Sequence, residues 1–361
     1  MRKMIIVLLI VLLSAFGMPA YGEQEAAAPQ PPPGISAQTA IMIEAKSGEV
    51  LYEKNADEKA YPASITKILT ALLAIENGDL DKKVKISPNA SGVEGSSIYL
   101  EVGEKIALRD LVYGLMLRSG NDAAVAISEE IGGSKDQFVA MMNNRAKELG
   151  AVNTHFANPN GLHDPDHYTT ARDMALIAQA AMKNEEFRKV AAAKSWETNR
   201  GEGKYNYFYN KNKVVYQYDG GNGIKIGYTK AAGRTLVASS ERDGMVLICV
   251  VMNAPNWFQD TYQLMDYAYS QYVTAKIAPG QRPIKAVKIQ GGDKDFVLIG
   301  PKEDITCPVK KDSDSKISIE YVLTGKPKAP VSRWQEAGEL KIYVDGTYLY
   351  ATPLYYMEDV E

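Results

Sequence analysis

The sequence predicts an α+β fold in which an antiparallel sheet flanked by helices is followed by a small all-β domain. Segment 61–75 is apolar on nearly every face, which is typical of a helix buried in a domain core. Segments 223–239 and 245–252 flank an Asp-Gly dipeptide, which is typical of a hairpin between antiparallel strands. From residue 279 onward, short alternating runs replace helical periodicity. These three patterns together define the predicted class.

Composition limits the kinds of partner that the chain can have. The 361 residues are 45% hydrophobic and 24% charged, which suits a globular protein with more than one domain. The formal net charge is −3, and no run of lysines or arginines marks a basic face. The charge balance therefore argues against a nucleic-acid partner.

The N-terminus has the pattern of a secretory signal peptide. Arg2 and Lys3 precede an apolar run over 4–16, and small residues follow as far as Gly22, where we expect cleavage. The apolar run is too short for a comfortable membrane span. Residues 23–36, rich in Ala, Gln and Pro, are predicted to form a linker. We therefore expect a secreted protein on the cell-wall side of the membrane.

A hairpin over 40–52 is predicted to precede the apolar helix, and within that helix Lys67 stands out. A buried lysine is costly, and burial lowers its pKa toward neutrality. Ser64 lies one turn earlier at spacing i, i+3, so the two side chains share a face. A serine beside a neutral amine is an activated nucleophile. The alternative is that Ser64 caps the helix and Lys67 extends to solvent.

A second polar cluster, Ser119-Gly120-Asn121, ends a predicted helix over 108–118 and precedes another over 122–131. A hydroxyl and a carboxamide on a short turn suit proton relay and substrate orientation, although ordinary helix–helix turns are also polar. A third cluster lies on the strand at 223–229, where Lys225 is followed by Gly227. A glycine there allows a ligand to approach the backbone closely.

The remaining helices are predicted at 134–150, 170–182 and 257–273, the first two opened by capping boxes. The loop between them carries His163 and His167 beside two aspartates. A zinc site is conceivable there. We prefer a structural loop, because no convincing third ligand accompanies the histidines.

Ser64-x-x-Lys67, Ser119-x-Asn121 and Lys225-x-Gly227, in this order, resemble the motifs of penicillin-binding proteins and class A β-lactamases. From residue 37 onward the chain resembles serine-type D-alanyl-D-alanine carboxypeptidases of the S11 peptidase family, the low-molecular-mass penicillin-binding proteins. The resemblance extends to segments 94–100, 117–124 and 158–162, and it is greatest to the sporulation type that trims spore cortex. It implies a penicillin-binding/β-lactamase-like transpeptidase domain at 37–278 and a β-rich domain at 279–361.

The resemblance also implies a reaction. Ser64 would attack the carbonyl between two D-alanines of a peptidoglycan stem peptide, and Lys67 would take its proton. Ser119, oriented by Asn121, would help to protonate the leaving amine. β-Lactams would act as covalent inhibitors, and no metal or organic cofactor is implied. The substrate-binding residues implied by the resemblance are Lys225, Ile226, Gly227 and Tyr228, with the N–H groups of Ser64 and Tyr228 as the oxyanion hole.

Two departures from the family pattern stand out. Ile226 replaces a threonine whose hydroxyl is expected to hold the substrate's terminal carboxylate, so Ile226→Thr should raise activity about ten- to a hundredfold. Alternatively, another residue binds the carboxylate and Ile226 only packs. The tail over 353–361 is acidic and lacks the stripe of a membrane-anchoring helix, so we expect no tight anchor in the mature chain.

Two alternative functions stay open at the level of sequence. A β-lactamase would need a deacylating glutamate with an asparagine partner, and Glu197-Thr198-Asn199 is a poor candidate. A weakly active muropeptide-binding scaffold is the other alternative, suggested by Ile226 and by the β-rich domain.

Overall fold

The computed structural model describes residues 32–361. The predicted signal peptide and the linker as far as residue 31 lie outside the described residues. Across 32–361, none of the helices combines the length and the apolar character that a membrane crossing requires.

A five-stranded antiparallel sheet forms the centre of the fold, in the order β2-β1-β9-β8-β7. The predicted N-terminal hairpin and the Asp243-Gly244 turn are confirmed, and both turn residues have the positive φ that this turn type requires. Strand β7 is an edge strand, so one side of its backbone is free of strand partners in this sheet. The strands are β1 Thr39–Glu44, β2 Val50–Lys54, β7 Gly221–Thr229, β8 Gly233–Arg242 and β9 Met245–Met252.

Helices cover both faces of this sheet. Two predicted caps are confirmed, because the Ser134 hydroxyl accepts from the Gln137 N–H and the Thr170 hydroxyl accepts from the Asp173 N–H. The helices are α1 Lys67–Asn77, α2 Leu108–Tyr113, α3 Asn121–Gly132, α4 Lys135–Glu148, α5 Ala171–Lys183, α6 Glu185–Ala192, α7 Val214–Gln217 and α8 Trp257–Gln271.

Two hydrophobic clusters hold the sheet between these helices. The first joins α1, α3 and α5 to one face of the sheet and includes Ile68, Ile177 and Val237. The second joins α8 to the opposite face and includes Leu236 and Leu264. Helix α1 is therefore buried, as its apolar sequence predicts.

Two predicted helices differ in detail from those observed. The helix predicted over 61–75 opens with a 3₁₀ turn, Ala63–Thr66, and becomes α-helical only at Lys67. The helix predicted over 108–118 changes to a π-helical turn at Gly114–Arg118. Such turns often occur at functional sites, and apolar periodicity does not distinguish them from an α-helix.

Short two-stranded ribbons complete the part of the fold that contains the central sheet. Strand β3, Lys83–Lys85, pairs with β4, Lys105–Ala107. Strand β5, Ser195–Glu197, pairs with β6, Tyr207–Tyr209.

The C-terminal segment is β-rich, as predicted, and has a hydrophobic cluster of its own around Val297, Leu340 and Leu354. A two-stranded ribbon pairs β10 with β13, and a five-stranded sheet has the order β11-β12-β16-β15-β14. The helix predicted to reach residue 273 ends at Gln271, where β10 begins. The strands are β10 Tyr272–Ala278, β11 Lys285–Lys288, β12 Phe296–Gly300, β13 Ile305–Lys310, β14 Ile317–Leu323, β15 Glu336–Val344 and β16 Thr347–Tyr356.

Candidate active site

Ser64 and Lys67 lie together at the junction of the 3₁₀ turn and α1. The Lys67 amine, Nζ, is 2.9 Å from Ser64 Oγ. Ala63, directly before the serine, has φ +50°, a left-handed conformation that costs energy for a residue with a side chain. The strained turn brings the serine hydroxyl to the end of the buried lysine, and the alternative of a solvent-exposed Lys67 is wrong because that residue is 0% exposed.

The Lys67 amine makes three hydrogen bonds, and their partners define what it can do in each protonation state. Its Nζ donates to the side-chain Oδ1 of Asn121 at 2.7 Å and to the backbone carbonyl of Asn160 at 2.5 Å. Neither oxygen can donate, so both must receive an N–H. A neutral amine has two N–H bonds and one lone pair. In the ammonium form, Nζ donates its third N–H to Ser64 Oγ. In the neutral form, the lone pair faces the Ser64 O–H, which is the arrangement that a general base requires.

Electrostatics favour the same protonation state. Burial is the main cause that lowers the pKa of Lys67 well below its usual value, and the positive charge of Lys225 lowers it further. The buried carboxylate of Asp122 opposes this shift, whereas the more distant Lys211 adds to it. The net effect is a lowered pKa, which favours the neutral form that can take a proton.

The loop Asn158–Leu162 supplies the carbonyl that holds Lys67. Asn158 shapes the loop, since its Oδ1 accepts from the Gly161 N–H at 2.7 Å and its Nδ2 donates to the Leu162 carbonyl at 2.9 Å. A Cβ on Gly161 would lie 1.9 Å from the carbonyl oxygen of Ala63. The loop therefore packs directly on the nucleophile turn, and only glycine fits at that contact.

The predicted Ser119-Gly120-Asn121 turn is present, and its Asn121 side chain contacts Lys67. Ser119 is left-handed, with φ 63° and ψ 31°, at the end of the π-helical turn. Asn121 opens α3, and its Nδ2 donates to the Glu94 carbonyl at 2.6 Å, which points Oδ1 at Lys67. Asn121 is therefore fixed from two sides.

Asp122 holds the loop that faces this turn. Its buried carboxylate accepts from the backbone N–H groups of Ile98 and Leu100 and from the Ser97 hydroxyl at 2.6 Å. The carbonyls of Ile98 and Tyr99 accept from the guanidinium of Arg200, whose side chain is only 1% exposed and which also pairs with Glu104. The backbone that carries Glu94 is thus anchored by buried charges.

Strand β7 borders the nucleophile on the other side. A Cβ on Gly227 would lie 2.8 Å from the Ser64 nitrogen, so this glycine permits the close approach that the sequence predicts. Tyr228 is 63% exposed at the open edge of the sheet. Lys225 is buried, donates to the Ile226 carbonyl at 2.9 Å and has its pKa lowered to about 7 by burial and by Lys211.

Ile226 lies on the other face of β7. It is half-buried against the second hydrophobic cluster and is paired with Leu236, a member of that cluster. The hydroxyl of Thr229, two positions from Gly227, accepts from the Ala232 N–H at 3.0 Å and so serves the following turn. This packing supports the alternative in which Ile226 has a structural role and another residue binds the substrate carboxylate.

Two further cations lie near strand β7. The Lys211 N–H donates to the Leu117 carbonyl at 3.2 Å, next to the Ser119 turn, and burial together with Arg118 lowers the pKa of Lys211. Arg234 is cross-strand partner of Tyr228, and with Trp257 these two residues line an open pocket of 460 Å³.

The loop histidines have structural partners. His167 is 2% exposed and bonds to Thr66 and to the Ala157 N–H, and the His163 ring packs edge-on against Tyr61 at 4.7 Å. Across residues 32–361, no group of three or more His, Cys, Asp or Glu side chains is placed to hold a metal ion.

Sequence reasoning assigned no role to Asn160, Asp122 or Lys211. Asn160 acts through its backbone carbonyl, so its residue type gives no signal. Asp122 could have been found, because it directly follows the predicted Asn121. Lys211 is distant in sequence from every motif, and only the fold brings it near Lys225.

Two family models match the chain. Residues 24–256 match D-alanyl-D-alanine carboxypeptidase, and residues 272–361 match the C-terminal domain of penicillin-binding protein 5.

Similar proteins cover nearly the whole chain. It is 34% identical to the D-alanyl-D-alanine carboxypeptidase DacF of Bacillus subtilis, over 100% of this chain and 95% of that protein. The crystal structure of penicillin-binding protein 5 from Haemophilus influenzae is similar with a TM-score of 0.71 at 31% identity, over 92% of this chain and 99% of that one. A D-alanyl-D-alanine carboxypeptidase structure from Mycobacterium tuberculosis has a TM-score of 0.64 at 33% identity, over 67% of this chain and 94% of its own.

Proposed function

The chain belongs to the D-alanyl-D-alanine carboxypeptidase family, and we propose that it removes the terminal D-alanine of peptidoglycan stem peptides through an acyl-enzyme on Ser64. The observation that carries this proposal is the bonding of Lys67. Its Nζ contacts Ser64 Oγ, Asn121 and Asn160, so that in the neutral amine the two N–H groups go to Asn121 and Asn160 and the lone pair faces the Ser64 hydroxyl. β-Lactams, which resemble the scissile dipeptide, would be trapped as esters of the same serine.

In the acylation step, Lys67 takes the Ser64 proton as the oxygen attacks the carbonyl carbon. The N–H groups of Ser64 and Tyr228 would stabilise the oxyanion, and the close fit of Gly227 against the serine nitrogen supports that placement. Each such donor contributes about 10²- to 10³-fold in rate. Ser119, on the turn beside Asn121, would pass a proton to the departing D-alanine. Water then hydrolyses the ester.

The substrate's terminal carboxylate requires a cation or a hydroxyl. Ile226 offers neither, but Lys225 lies on the same face of β7 as Gly227, and Lys211 is close enough to lower the pKa of Lys225. We propose that these cations bind the carboxylate and that Ile226 contributes only packing. A charge-assisted hydrogen bond of this kind contributes about 1.5–3 kcal/mol.

A β-lactamase activity has little support at this site. Glu197, the acid considered from the sequence, lies on β5 opposite Tyr207. The loop Asn158–Leu162 contacts Lys67 through the Asn160 carbonyl, and the segment contains no acidic residue. Hydrolysis of the penicilloyl ester should therefore be slow.

The two parts of the proposal are tested together by fluorescent penicillin labelling and by release of D-alanine from a pentapeptide that ends in D-Ala-D-Ala. We expect both in the wild-type protein and neither in Ser64→Ala. Labelling without D-alanine release would indicate a penicillin-binding scaffold, and rapid loss of the label would indicate a β-lactamase. Either result would overturn the proposal.

The setting of this reaction is also a proposal. We infer secretion from the signal-peptide pattern that ends at Gly22, and we infer a part in spore cortex maturation from the resemblance to the sporulation type. Domain limits of 37–278 and 279–361 are likewise proposed. N-terminal sequencing of the mature protein and comparison of cortex muropeptides with and without it test the first two inferences.

A further inference from the structure

His167 is a buried, titratable residue that the proposed reaction does not use. It lies along the chain between the loop Asn158–Leu162 and α5, and the residue is 2% exposed. The ring packs edge-on against Phe156, with centroids 5.5 Å apart. Burial of an imidazole without a charged partner calls for an explanation, because the group must be kept neutral.

The hydrogen bonds of His167 fix its tautomer. Nδ1 accepts from the Ala157 N–H at 3.0 Å, so that nitrogen carries no proton. The proton of the neutral ring must then be on Nε2, which lies 2.8 Å from Thr66 Oγ1 and donates to it. The Thr66 hydroxyl in turn donates a hydrogen bond to the Ala63 carbonyl at 2.8 Å. The chain of bonds therefore has a single direction.

These bonds join the two backbone segments that converge on Lys67. Ala157 leads into the loop whose Asn160 carbonyl binds the lysine, and Ala63 is the strained residue directly before Ser64. The two segments also touch directly, since Gly161 packs on the Ala63 carbonyl. The imidazole thus links the loop that binds Lys67 to the turn that carries Ser64, and we call this link the strut.

We propose that His167 is a positioning residue for acylation, which as the neutral Nε2–H tautomer holds the nucleophile turn and the Asn160 loop in register. The proposal rests on the proposed function, because it presupposes acylation of Ser64. The residue does not touch substrate. It acts through Thr66 and Ala157 on the distance between Ser64 Oγ and Lys67 Nζ.

The protonation of this strut is controlled by its surroundings. Burial is the main cause that lowers the pKa of His167 to about 4, and a positive charge on His155, Lys67 or His163 would lower it further. Asp164 alone among its charged neighbours raises the pKa. Below about pH 4 the ring would gain a proton on Nδ1, which would then point an N–H at the N–H of Ala157. The strut is therefore intact at neutral pH and is lost only in acid.

The test compares two substitutions of His167. His167→Leu removes both bonds, and we expect it to slow penicillin acylation about ten- to a hundredfold, as two lost hydrogen bonds imply. The Kd of the preceding non-covalent complex should change less than about threefold. His167→Gln can accept from Ala157 and donate to Thr66, so its acylation rate should stay within about threefold of the wild type. His155→Gln, at an exposed histidine of the same region, is the matched control and should have no effect.

Thr66→Val breaks the chain one step further on, without touching the imidazole. Its effect on acylation should resemble that of His167→Leu, and the double variant should be little worse than either single one, because both remove the same coupling. This pair keeps the test decisive even if the leucine variant melts early. Additive effects would overturn the proposal.

The ¹⁵N shifts of the imidazole provide a readout that packing alone would not move. We expect the Nε2–H tautomer for His167 in the intact protein, unchanged from neutral pH down to about pH 5. An Nδ1–H tautomer, or a leucine variant that acylates at the wild-type rate, would overturn this inference alone. A wild-type protein that forms no penicilloyl ester would overturn the proposed function and this inference together.

Discussion

Three lysines control the chemistry at the scale of single residues. The pKa of Lys67 is lowered well below its usual value, first by burial and then by the positive charges of Lys225 and Lys211, so the neutral form is favoured. Burial also lowers the pKa of Lys225, so this residue loses its charge at a lower pH than an exposed lysine does. Lys67 acts as the base in its neutral form, whereas Lys225 binds an anion in its charged form. The contributions of these two lysines to activity should therefore depend on pH in different ways.

The first prediction concerns Lys225. Because the pKa of Lys225 is lowered to about 7, this residue is a cation below that pH and loses its charge as the pH rises. The kcat/KM for a D-Ala-D-Ala peptide should therefore fall about ten- to a hundredfold as pH rises through about 7, the range that one charged hydrogen bond supplies. The variant Lys225→Gln should have a low kcat/KM and lack this fall. A wild-type profile that is flat across this range would contradict the assignment.

Ile226 is the residue at which sequence and structure lead to different expectations. The sequence alone predicts that Ile226→Thr raises activity, whereas the structure packs this side chain against the cluster that contains Leu236. We now expect kcat/KM to stay within about threefold and the free energy of unfolding to fall by about 1 kcal/mol, owing to lost apolar burial. Steady-state kinetics and urea unfolding measure both. An increase of tenfold or more in kcat/KM would restore the interpretation in which a hydroxyl is missing.

At the scale of elements, the site depends on loops that buried charges hold in place. Asp122, at the start of α3, accepts hydrogen bonds from three groups of the loop that follows Glu94. Arg200 donates to a carbonyl of the same loop. These contacts orient Asn121, and through it Lys67. Fixing a loop in this way costs backbone entropy, which the buried hydrogen bonds offset.

Asp122→Asn should therefore loosen the site as well as the fold. The amide has one acceptor oxygen in place of two and directs an NH₂ group at backbone N–H donors, so we expect the free energy of unfolding to fall by about 2 kcal/mol. Penicillin acylation should slow, because Glu94 no longer holds Asn121. The matched control is Asp136→Asn, which removes an exposed carboxylate from the first turn of α4 and should alter neither quantity. Equal behaviour of the two variants would show that the loop does not depend on Asp122.

Elements with a regular pattern could be predicted from the sequence. The strands β8 and β9 were found because apolar runs meet at Asp243-Gly244, and α5 was found from its Thr170 cap. Helix α6 was missed: its eight residues give too short an apolar pattern. The π-helical turn before Ser119 and the 3₁₀ turn at Ser64 could not be predicted. Over one turn, the residue spacing of these helices is too close to that of an α-helix for apolar periodicity to distinguish them.

The site was predictable only in part, for a related reason. Ser64, Lys67 and Asn121 have side chains that act, and they follow short spacings along the chain. The Asn160 carbonyl acts through the backbone, and Lys211 reaches the site only through folding. Contacts of these two kinds leave no local signature in a sequence.

On the scale of the whole molecule, the C-terminal β-rich segment has a core separate from the two clusters around the central sheet. The solved carboxypeptidase from Mycobacterium tuberculosis matches 67% of this chain and 94% of its own, so a shorter chain of this kind can be folded. We expect the reaction to need only the part that contains α1, α3 and β7.

A chain that ends at Gln271 should therefore acylate penicillin within about threefold of the full-length rate. A chain that ends at Ala278 is the matched control. It keeps β10 but removes the partner strand β13, so it should expose an unpaired strand and aggregate. Stopped-flow acylation and light scattering measure the two effects. Loss of acylation in the shorter chain, with its fold intact, would show that the β-rich segment shapes the site.

The central claim is that Ser64 becomes esterified. The most direct measurement is peptide mapping by mass spectrometry after the wild-type protein has reacted with benzylpenicillin. We predict one penicilloyl group per chain, on the peptide that contains Ser64, and no adduct in Ser64→Ala of unchanged melting temperature. Lys67→Ala should form the same adduct at least about a thousandfold more slowly, because the two residues act as one unit. An adduct on another residue, or a Ser64→Ala protein that is still modified, would contradict the account.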